Sequence, residues 1–453
     1  MDIVIDIGQL SSNPLSGAIW LFTSLGWLVV GVFLIAAGIK FWQFYIRNQY
    51  RKTRKYIVLA IDVPRNNEQT PKAVENIFNH LSGAHKPLNK HDKWWFGSLP
   101  ESISLEIVSL GGYIQFLIHL EKQHRDLVEA MIYAQYPEAE ITEVEDYTKD
   151  WKITFPNDKY ELWGTEITLA KSQYYPIRTY EEFEDKVSKE AYKDSMAAML
   201  EALTRIGPGE QIWVQFVITP ADNDWGEGGQ SAIKKIIGEK PKPANDIVSL
   251  ISNWSGYLVD SIVSAPAAAE KTKKDDQPNK IMYLTQGGKD VVTAIEKKTS
   301  KVGFHTRIRT IYLAEKASFK KSIGGTLFGS FKQFNTLNLN AFKPDRLYYT
   351  GGFIYFKQRR LNRRKNRILS LYKSRGHFLQ PGDYGKILNS EELATIYHFP
   401  TLIVKTPLLQ KTQLKKAEPP LSLPVDTEQL LSTNSPGQSE TTPKTTPPPN
   451  LPV

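Results

Sequence analysis

The chain has 453 residues, of which 41% are hydrophobic and 11% aromatic, enough apolar sequence for two or three domains with buried cores. It contains no cysteine, so disulfides, thiolate metal sites and cysteine nucleophiles are excluded. The net charge of +9 is unevenly distributed. Residues 56–296 carry 25 Lys and Arg against 37 Asp and Glu, whereas the basic block at 297–386 carries 21 basic and 3 acidic residues. A block this basic predicts an anionic partner.

The first predicted element is a transmembrane helix at residues 15–39, a stretch of 25 residues without a charge. About 20 apolar residues are enough to cross a ~30 Å hydrocarbon layer. A cleaved signal peptide is the alternative. Such peptides need a basic n-region, a shorter apolar core and a small-residue cleavage site, and this segment lacks all three. We therefore expect a single-pass membrane protein.

Charges on either side of this helix predict its orientation. Only Asp2 and Asp6 precede it, whereas cations crowd the juxtamembrane linker at residues 40–55. By the positive-inside rule, residues 1–14 lie outside the cell and the long C-terminal body lies in the cytoplasm, which predicts a bacterial inner-membrane location. The topology-determining residues are Lys40, Arg47, Arg51, Lys52, Arg54 and Lys55.

The first soluble domain is predicted at residues 56–150 as a ferredoxin-like α+β unit with the order β-α-β-β-α-β. Alternating apolar positions indicate strands, and apolar positions three or four apart indicate helices. The expected strands are 56–63, 103–110, 112–120 and 139–147, and the expected helices are 70–81 and 121–135.

A second α+β domain is predicted at residues 160–400, with an insertion at 239–280, and we expect a second ferredoxin-like unit in it. Its expected strands are 160–171, 211–220 and 302–313, and its expected helices are 188–206, 287–299 and 315–323. Residues 411–453 are rich in Pro, Ser and Thr, a composition that predicts disorder because it buries too little apolar area.

Catalytic patterns are absent from the sequence. None of the glycine clusters at 207–209, 225–231, 286–290 and 324–330 carries the Lys-Ser/Thr pair of a phosphate-binding loop. His80, His85 and His91 lie near Asp92, but their spacing matches no metal motif. We therefore predict no enzyme activity, no cofactor and no metal.

The most specific feature is a basic stripe at residues 357–375 that contains no acid and follows several aromatic residues. Three alternatives remain open, since charge does not distinguish them: nucleic acid, the anionic inner leaflet, and an acidic partner or this chain's own acidic region at 56–296. The candidate nucleic-acid or phospholipid-binding residues are Lys357, Arg359, Arg360, Arg363, Arg364, Lys365, Arg367, Lys373 and Arg375.

Two segments, 105–141 and 382–400, together with 415–425, resemble a bacterial family of membrane-anchored proteins that contain a domain of unknown function and accompany type IV secretion-like, conjugative ATPases. In similar chains, a segment like NSEELATIYHFP leads into an ATPase domain with a Walker lysine. That domain does not follow here. The resemblance therefore implies a non-catalytic scaffold in an oligomeric DNA or protein translocation assembly, with the P-loop ATPase on another chain. A membrane-tethered nucleic-acid-binding protein is the alternative.

Overall fold

The computed structural model describes most of the chain between residues 14 and 400. The predicted insertion at 239–280 and the predicted tail at 411–453 lie outside the described residues. So do most of the predicted extracytoplasmic segment at 1–14 and part of the helix predicted at 188–206. The described ranges are 14–64, 67–83, 88–183, 194–222, 224–238, 284–351, 355–375 and 385–400.

The N-terminal element is the 40-residue helix α1, Pro14–Thr53. Proline is favoured at a helix start because its missing N–H has no intrahelical partner there. The helix is long and apolar enough to cross a membrane, a property that it shares with signal sequences. It continues without a break beyond Ile39, so residues 40–53 of the predicted linker are helical.

The described strands form one nine-stranded sheet in which every pairing is antiparallel. The strands are β1 Tyr56–Asp62, β2 Ile103–Leu110, β3 Tyr113–Glu121, β4 Glu140–Val144, β5 Tyr160–Leu169, β6 Glu210–Pro220, β7 Gly303–Glu315, β8 Phe342–Pro344 and β9 Lys386–Asn389. Their order in the sheet is β4-β1-β3-β2-β6-β7-β5-β8, with β9 pairing with β7.

Strands from both predicted domains therefore lie in one sheet, and β2 pairs with β6 at the junction. On one side of this junction the order is β4-β1-β3-β2, and on the other it is β8-β5-β7-β6. The boundary that we predicted between two domains thus passes through the middle of a continuous sheet.

Helices cover both faces of the sheet. The helices after α1 are α2 Pro71–Gly83, α3 Lys90–Trp95, α4 Arg125–Gln135, α5 Ala197–Thr204, α6 Trp225–Ile237, α7 Gln286–Thr299, α8 Lys321–Phe331, α9 Lys357–Ser374 and α10 Ser390–Ile396. One face packs against α2, α4, α5, α8 and α10, with Leu59, Ile107 and Phe216 among its buried residues. The other face packs against α9, with Trp213 and Tyr372 at its centre.

The structure confirms the expected mixture of helices and strands behind an apolar N-terminal helix. The helix predicted at 315–323 is misplaced, because β7 extends to Glu315 and α8 begins at Lys321. Residues between these elements turn back onto the strand. Phe319 stacks on Tyr312 at 5.1 Å between ring centroids, and the Lys320 amide donates to the Tyr312 hydroxyl at 3.2 Å. These tertiary contacts outweigh the local helical pattern.

Candidate functional site

A row of four polar residues crosses the centre of the sheet on the face that α9 covers. Glu106, Gln215, Arg309 and Glu166 are direct cross-strand neighbours on β2, β6, β7 and β5. None of them is more than 4% exposed. Gln215 Nε2 donates to Glu106 Oε1 at 3.0 Å, and Arg309 Nη1 donates to Gln215 Oε1 at 3.0 Å. Arg309 Nε donates to Glu166 Oε2 at 3.2 Å, so the hydrogen bonds are unbroken along this polar row.

The polar row holds the C-terminal end of α9. Arg375 Nε donates to Glu106 Oε1 at 2.8 Å, and Arg375 Nη1 donates to Asp146 Oδ2 at 2.7 Å. Gln215 Nε2 also donates to the carbonyl of Tyr372 at 3.1 Å. Buried charges are tolerated only when they are paired and hydrogen-bonded, and this arrangement meets that requirement for each carboxylate.

These contacts lower the pKa of both Glu106 and Asp146. Burial by itself raises the pKa of a carboxyl group, but the charge and hydrogen bonds of Arg375 outweigh burial and lower the pKa of Glu106. The pKa of Asp146 falls to about 2, because hydrogen bonds from Arg375 and Thr148 outweigh its partial burial. Both groups are therefore ionised at neutral pH, and Arg375 is their counter-ion.

The structure divides the predicted basic stripe into a structural part and a surface part. Two of the predicted binding residues, Lys365 and Arg375, are buried in the described fold, where Lys365 pairs with Glu161 and Arg375 pairs with Glu106. Three others have partners in the fold. Arg364 Nη1 donates to the carbonyl of Tyr349 at 2.7 Å, Lys373 donates to the carbonyl of Trp151, and Arg367 lies 4.9 Å from the ring centre of Tyr348.

The surface part lies on the first two turns of α9. We call it the cationic end of α9, and it comprises the exposed side chains of Lys357, Arg359, Arg360 and Arg363. Tyr355 and Phe356, directly before the helix, are also exposed. Exposed cations beside exposed aromatic rings can contact phosphates and stack on bases, the two contacts that single-stranded nucleic acids offer. The same cations can bind anionic lipid.

The predicted topology-determining residues divide in the same way. Lys40, Lys52 and Lys55 are exposed, whereas Arg47, Arg51 and Arg54 are partly covered. Arg51 Nη2 donates to the carbonyl of Ser374 at 3.1 Å, and Arg54 Nη1 lies 2.7 Å from Glu121 Oε1. The end of α1 is therefore attached both to β3 and to the end of α9.

A cavity of about 270 Å³ lies where α1, β2, β3 and α9 meet. Glu101, Glu121 and His124 bring their donor atoms within 4.8 Å of one another beside it, although the sequence did not single them out as ligands. His124 Nε2 lies 2.6 Å from Glu101 Oε2, and Gln123 Nε2 donates to Glu121 Oε2 at 3.0 Å. These donors could hold a divalent cation, but the partners that they already have, Arg54 included, account for their positions.

His119 faces the same cavity, stacked on the ring of Tyr56 at 5.0 Å between centroids. Burial and the nearby charge of Arg375 lower the pKa of His119 to about 4. Its imidazole is therefore neutral at physiological pH. Among the other histidines that we considered, His80 and His91 are exposed, and His85 lies outside the described residues.

Sequence reasoning missed the polar row, although a signal for it exists. Glu106 interrupts the apolar strand ISLEIVSL, and Arg309 lies within the long apolar strand that ends in TIYLAE. A charged residue on a strand whose two faces are both covered must have a buried partner. The identity of that partner was not evident, because Arg375 lies 269 residues from Glu106 along the chain.

Comparison with known proteins assigns the chain to a family. No curated protein matches the sequence significantly. The model of one family, described as "Domain of unknown function (DUF8128)", matches residues 48–411, and this description names neither conjugation nor type IV secretion. The match begins within the last two turns of α1 and includes every described strand. Since it covers most of the sequence, the chain belongs to the DUF8128 family.

Proposed function

We propose that the protein is a membrane-anchored, non-catalytic component of a translocation machine of the type IV secretion or conjugation kind, and that it works with a P-loop ATPase on another chain. In this proposal α1 crosses the bacterial inner membrane, the sheet domain is cytoplasmic, and several copies assemble. The proposal is supported by the resemblance of residues 105–141 and 382–400, and by the way in which α1 joins the domain.

The observation that carries the proposal is where the chain enters and leaves the sheet domain. Helix α1 enters at one end of β1, and Pro400, the last described residue, lies beyond the other end. The membrane helix ends at Thr53, three residues before β1 begins at Tyr56. Beyond the other end of β1, Asn67 Nδ2 donates to the carbonyl of Pro400 at 3.3 Å. The seven residues of β1 span roughly 20 Å at about 3.3 Å per residue. The chain thus leaves the described domain on the side away from the anchor.

The segment before this exit is firmly fixed. Residues 387–400 are all buried, and Lys298 Nζ lies 2.8 Å from Glu392 Oε2 in a fully buried ion pair. Asn389 and Glu392 form a capping box at the start of α10. In similar chains the corresponding segment leads into an ATPase domain, so we place the separate ATPase at the membrane-distal end of this domain.

We further propose that each half of the sheet is a ferredoxin-like unit. The two orders, β4-β1-β3-β2 and β8-β5-β7-β6, correspond strand by strand when β1 is matched with β5 and β2 with β6. Each half also packs two helices on the same face, α2 with α4 and α5 with α8. Two such units joined through β2 and β6 account for a sheet of this order.

Cross-linking tests the partner and its position together. Because the chain has no cysteine, Glu68→Cys, near Pro400, and Lys52→Cys, near the membrane, each introduce a unique thiol. The cross-linked protein is solubilised from membranes and isolated. We expect a P-loop ATPase to be recovered covalently attached to the Glu68→Cys variant and not to the Lys52→Cys variant. If repeated experiments recover no P-loop ATPase with either variant, the proposed partner is wrong. Cross-linking from Lys52→Cys alone would contradict the membrane-distal position.

Protease treatment tests the proposed orientation. Applied to the outer face of intact spheroplasts, protease should leave the sheet domain undigested, and the domain should be cleaved only after lysis. Digestion in intact spheroplasts would place the domain outside and rule out a cytoplasmic ATPase partner.

Binding of nucleic acid is the second candidate function, and the cationic end of α9 favours it. The detergent-solubilised chain should then bind DNA with a steep dependence on salt. Each phosphate contact contributes about 0.9 to the steepness of log K plotted against log salt concentration. Replacing Arg359, Arg360 and Arg363 by Ala should therefore make this plot shallower by about 2.7. The matched control replaces Lys316, Lys320 and Lys321, three exposed cations elsewhere, and should leave the slope near its parental value. Equal effects of the two triple variants would exclude the cationic end of α9 as the site.

A further inference from the structure

Three consecutive aromatic residues form an exposed patch at the end of α3. Trp94, Trp95 and Phe96 are 52%, 66% and 62% exposed. We call these residues the aromatic patch. Single apolar residues are common on protein surfaces, but three large neighbouring rings at this exposure indicate a contact surface. None of the interactions described above uses this patch.

The turn directly after the aromatic patch lies against the membrane helix. The next residue, Gly97, has φ = +64°, and a Cβ placed on it would come within 2.6 Å of the carbonyl carbon of Ile46. The main chains of α1 and of the turn after α3 are thus in contact at Ile46, whose side chain is buried. Ile46 follows the last residue of the apolar span, Ile39, by seven residues, or about 10 Å along a helix.

The helix itself carries a matching set of aromatic residues just before this contact. Phe41, Trp42, Phe44 and Tyr45 are all exposed. Aromatic side chains concentrate at membrane interfaces, where the headgroup region adds about 5–8 Å to each side of the hydrocarbon layer. Phe41, Trp42 and Phe44 fall within about 8 Å of the end of the span and Tyr45 within about 9 Å. The turn that follows the aromatic patch meets the helix at the next residue, Ile46.

We propose that the aromatic patch inserts into the headgroup region of the leaflet from which α1 emerges, and that it forms a second membrane contact of the domain. This proposal rests on the membrane anchor of the proposed function. A lipid surface fits better than a protein partner because the turn after the patch contacts the helix at Ile46, directly after the aromatic residues of the anchor. The patch also contains tryptophan, which is enriched at this depth of the bilayer. Two contacts, one along α1 and one beside it, would fix the tilt of the sheet domain on the membrane.

Site-specific labelling tests the proposal in the full chain. Since the native sequence lacks cysteine, Trp95→Cys can carry a single environment-sensitive fluorophore. The labelled protein is reconstituted into vesicles of phosphatidylethanolamine and phosphatidylglycerol that contain a spin-labelled quencher lipid. Two matched variants serve as references. Phe33→Cys, within the apolar span, reports insertion of the anchor. Leu337→Cys, fully exposed in the loop before β8 at the far edge of the sheet, reports an aqueous position.

We expect the quencher lipid to reduce the fluorescence at positions 33 and 95 several-fold more than at position 337. Trp94→Cys should behave like Trp95→Cys, which guards against a local disturbance by one label. Quenching at 33 with none at 94 or 95 would overturn the lipid contact and leave the anchor intact. Absence of quenching at all positions would overturn the anchor, and the proposal with it.

Discussion

Glu106 and Gln215 face each other directly across β2 and β6, the two strands that join the halves of the sheet, and their side chains are hydrogen-bonded at 3.0 Å. Both are fully buried. A slip of one residue between these strands would turn Glu106 towards the apolar face covered by α2 and α4. The pair therefore specifies the register of the junction, and its hydrogen bonds to Arg375 and to Tyr372 place α9 over the junction.

The first prediction concerns the buried charge of Glu106. Glu106→Gln keeps the shape of the side chain but leaves the buried Arg375 with Asp146 as its remaining carboxylate partner. Breaking one side of a buried ion pair is expected to lower the free energy of unfolding by about 3–5 kcal/mol. Urea unfolding of the detergent-solubilised protein measures this change.

A double variant separates the loss of the pair from the cost of an unpaired charge. Glu106→Gln combined with Arg375→Met removes both charges of this pair and leaves Asp146 with its hydrogen bonds from Thr148 but without its counter-ion. The stability of the double variant should still lie closer to that of the parent than the sum of the two single effects, because no charge stays buried at position 106 or 375. If Glu106→Gln alone changes the free energy of unfolding by less than about 1 kcal/mol, the buried pair does not hold α9 in the way described.

The second prediction concerns the backbone of Arg375. This residue ends α9 with φ = 46°, a left-handed conformation that favours glycine. Replacement by Ala or by Gly removes the same ion pairs, but only Ala retains the strain. Arg375→Gly should therefore be more stable than Arg375→Ala by about 1 kcal/mol in the same urea measurement. Equal stabilities would mean that the end of α9 relaxes once the ion pairs are lost.

Much of the fold could be predicted from the sequence, because most strands and helices have strong local signals. The strand at Ile103–Leu110 has the predicted bounds, and the strand at Tyr56–Asp62 is one residue shorter than predicted. The single continuous sheet could not be predicted, since local patterns carry no information on which strand edges pair. The pairing of β2 with β6 joins segments about a hundred residues apart, and its buried polar partners are visible only in the folded chain.

The candidate sites were predictable only in part. Charge identified the basic stripe, but charge alone does not distinguish an exposed Arg359 from a buried Lys365 on the same helix. The difference arises from Glu161 on β5, which lies under one face of α9. The position of the turn after the aromatic patch beside α1 depends on the contact between Gly97 and Ile46, which no local sequence pattern indicates.

The third prediction concerns the dependence of stability on pH. The folded-state pKa of His119, about 4, lies below the ordinary value of 6.5. Between these two values the unfolded chain binds a proton that the folded chain does not, so the free energy of unfolding falls as the pH is lowered from 6.5 to 4. The expected contribution is at most about 3 kcal/mol.

His119→Gln should remove this part of the pH dependence, because glutamine does not titrate. The control is His80→Gln, an exposed histidine on α2, which should keep the parental slope. Urea unfolding at pH 7, 6, 5 and 4 measures both variants. An unchanged slope in His119→Gln would show that burial of this imidazole does not couple to folding. Asp146 has a pKa of about 2 in the folded chain, so its effect on the free energy of unfolding falls mainly below pH 4.

The fourth prediction concerns Gly97, through which the turn after the aromatic patch contacts α1. An alanine there would combine a left-handed backbone conformation with a Cβ 2.6 Å from the main chain of Ile46, and main-chain atoms inside a helix cannot move aside easily. We expect Gly97→Ala to separate the turn after α3 from α1 while the sheet stays folded. Amide hydrogen exchange should then increase at residues 94–100 and change little in β2 and β3.

Gly329→Ala provides the control for this substitution. Gly329 lies inside α8, and a Cβ there would meet no atom within 4 Å, so alanine should leave exchange unchanged and raise the stability by up to about 1 kcal/mol. If Gly97→Ala also leaves exchange at residues 94–100 unchanged, the turn is not held by its contact with Ile46. If exchange increases, the same substitution should also weaken lipid quenching at a label on position 95, because the patch would no longer be fixed beside the anchor.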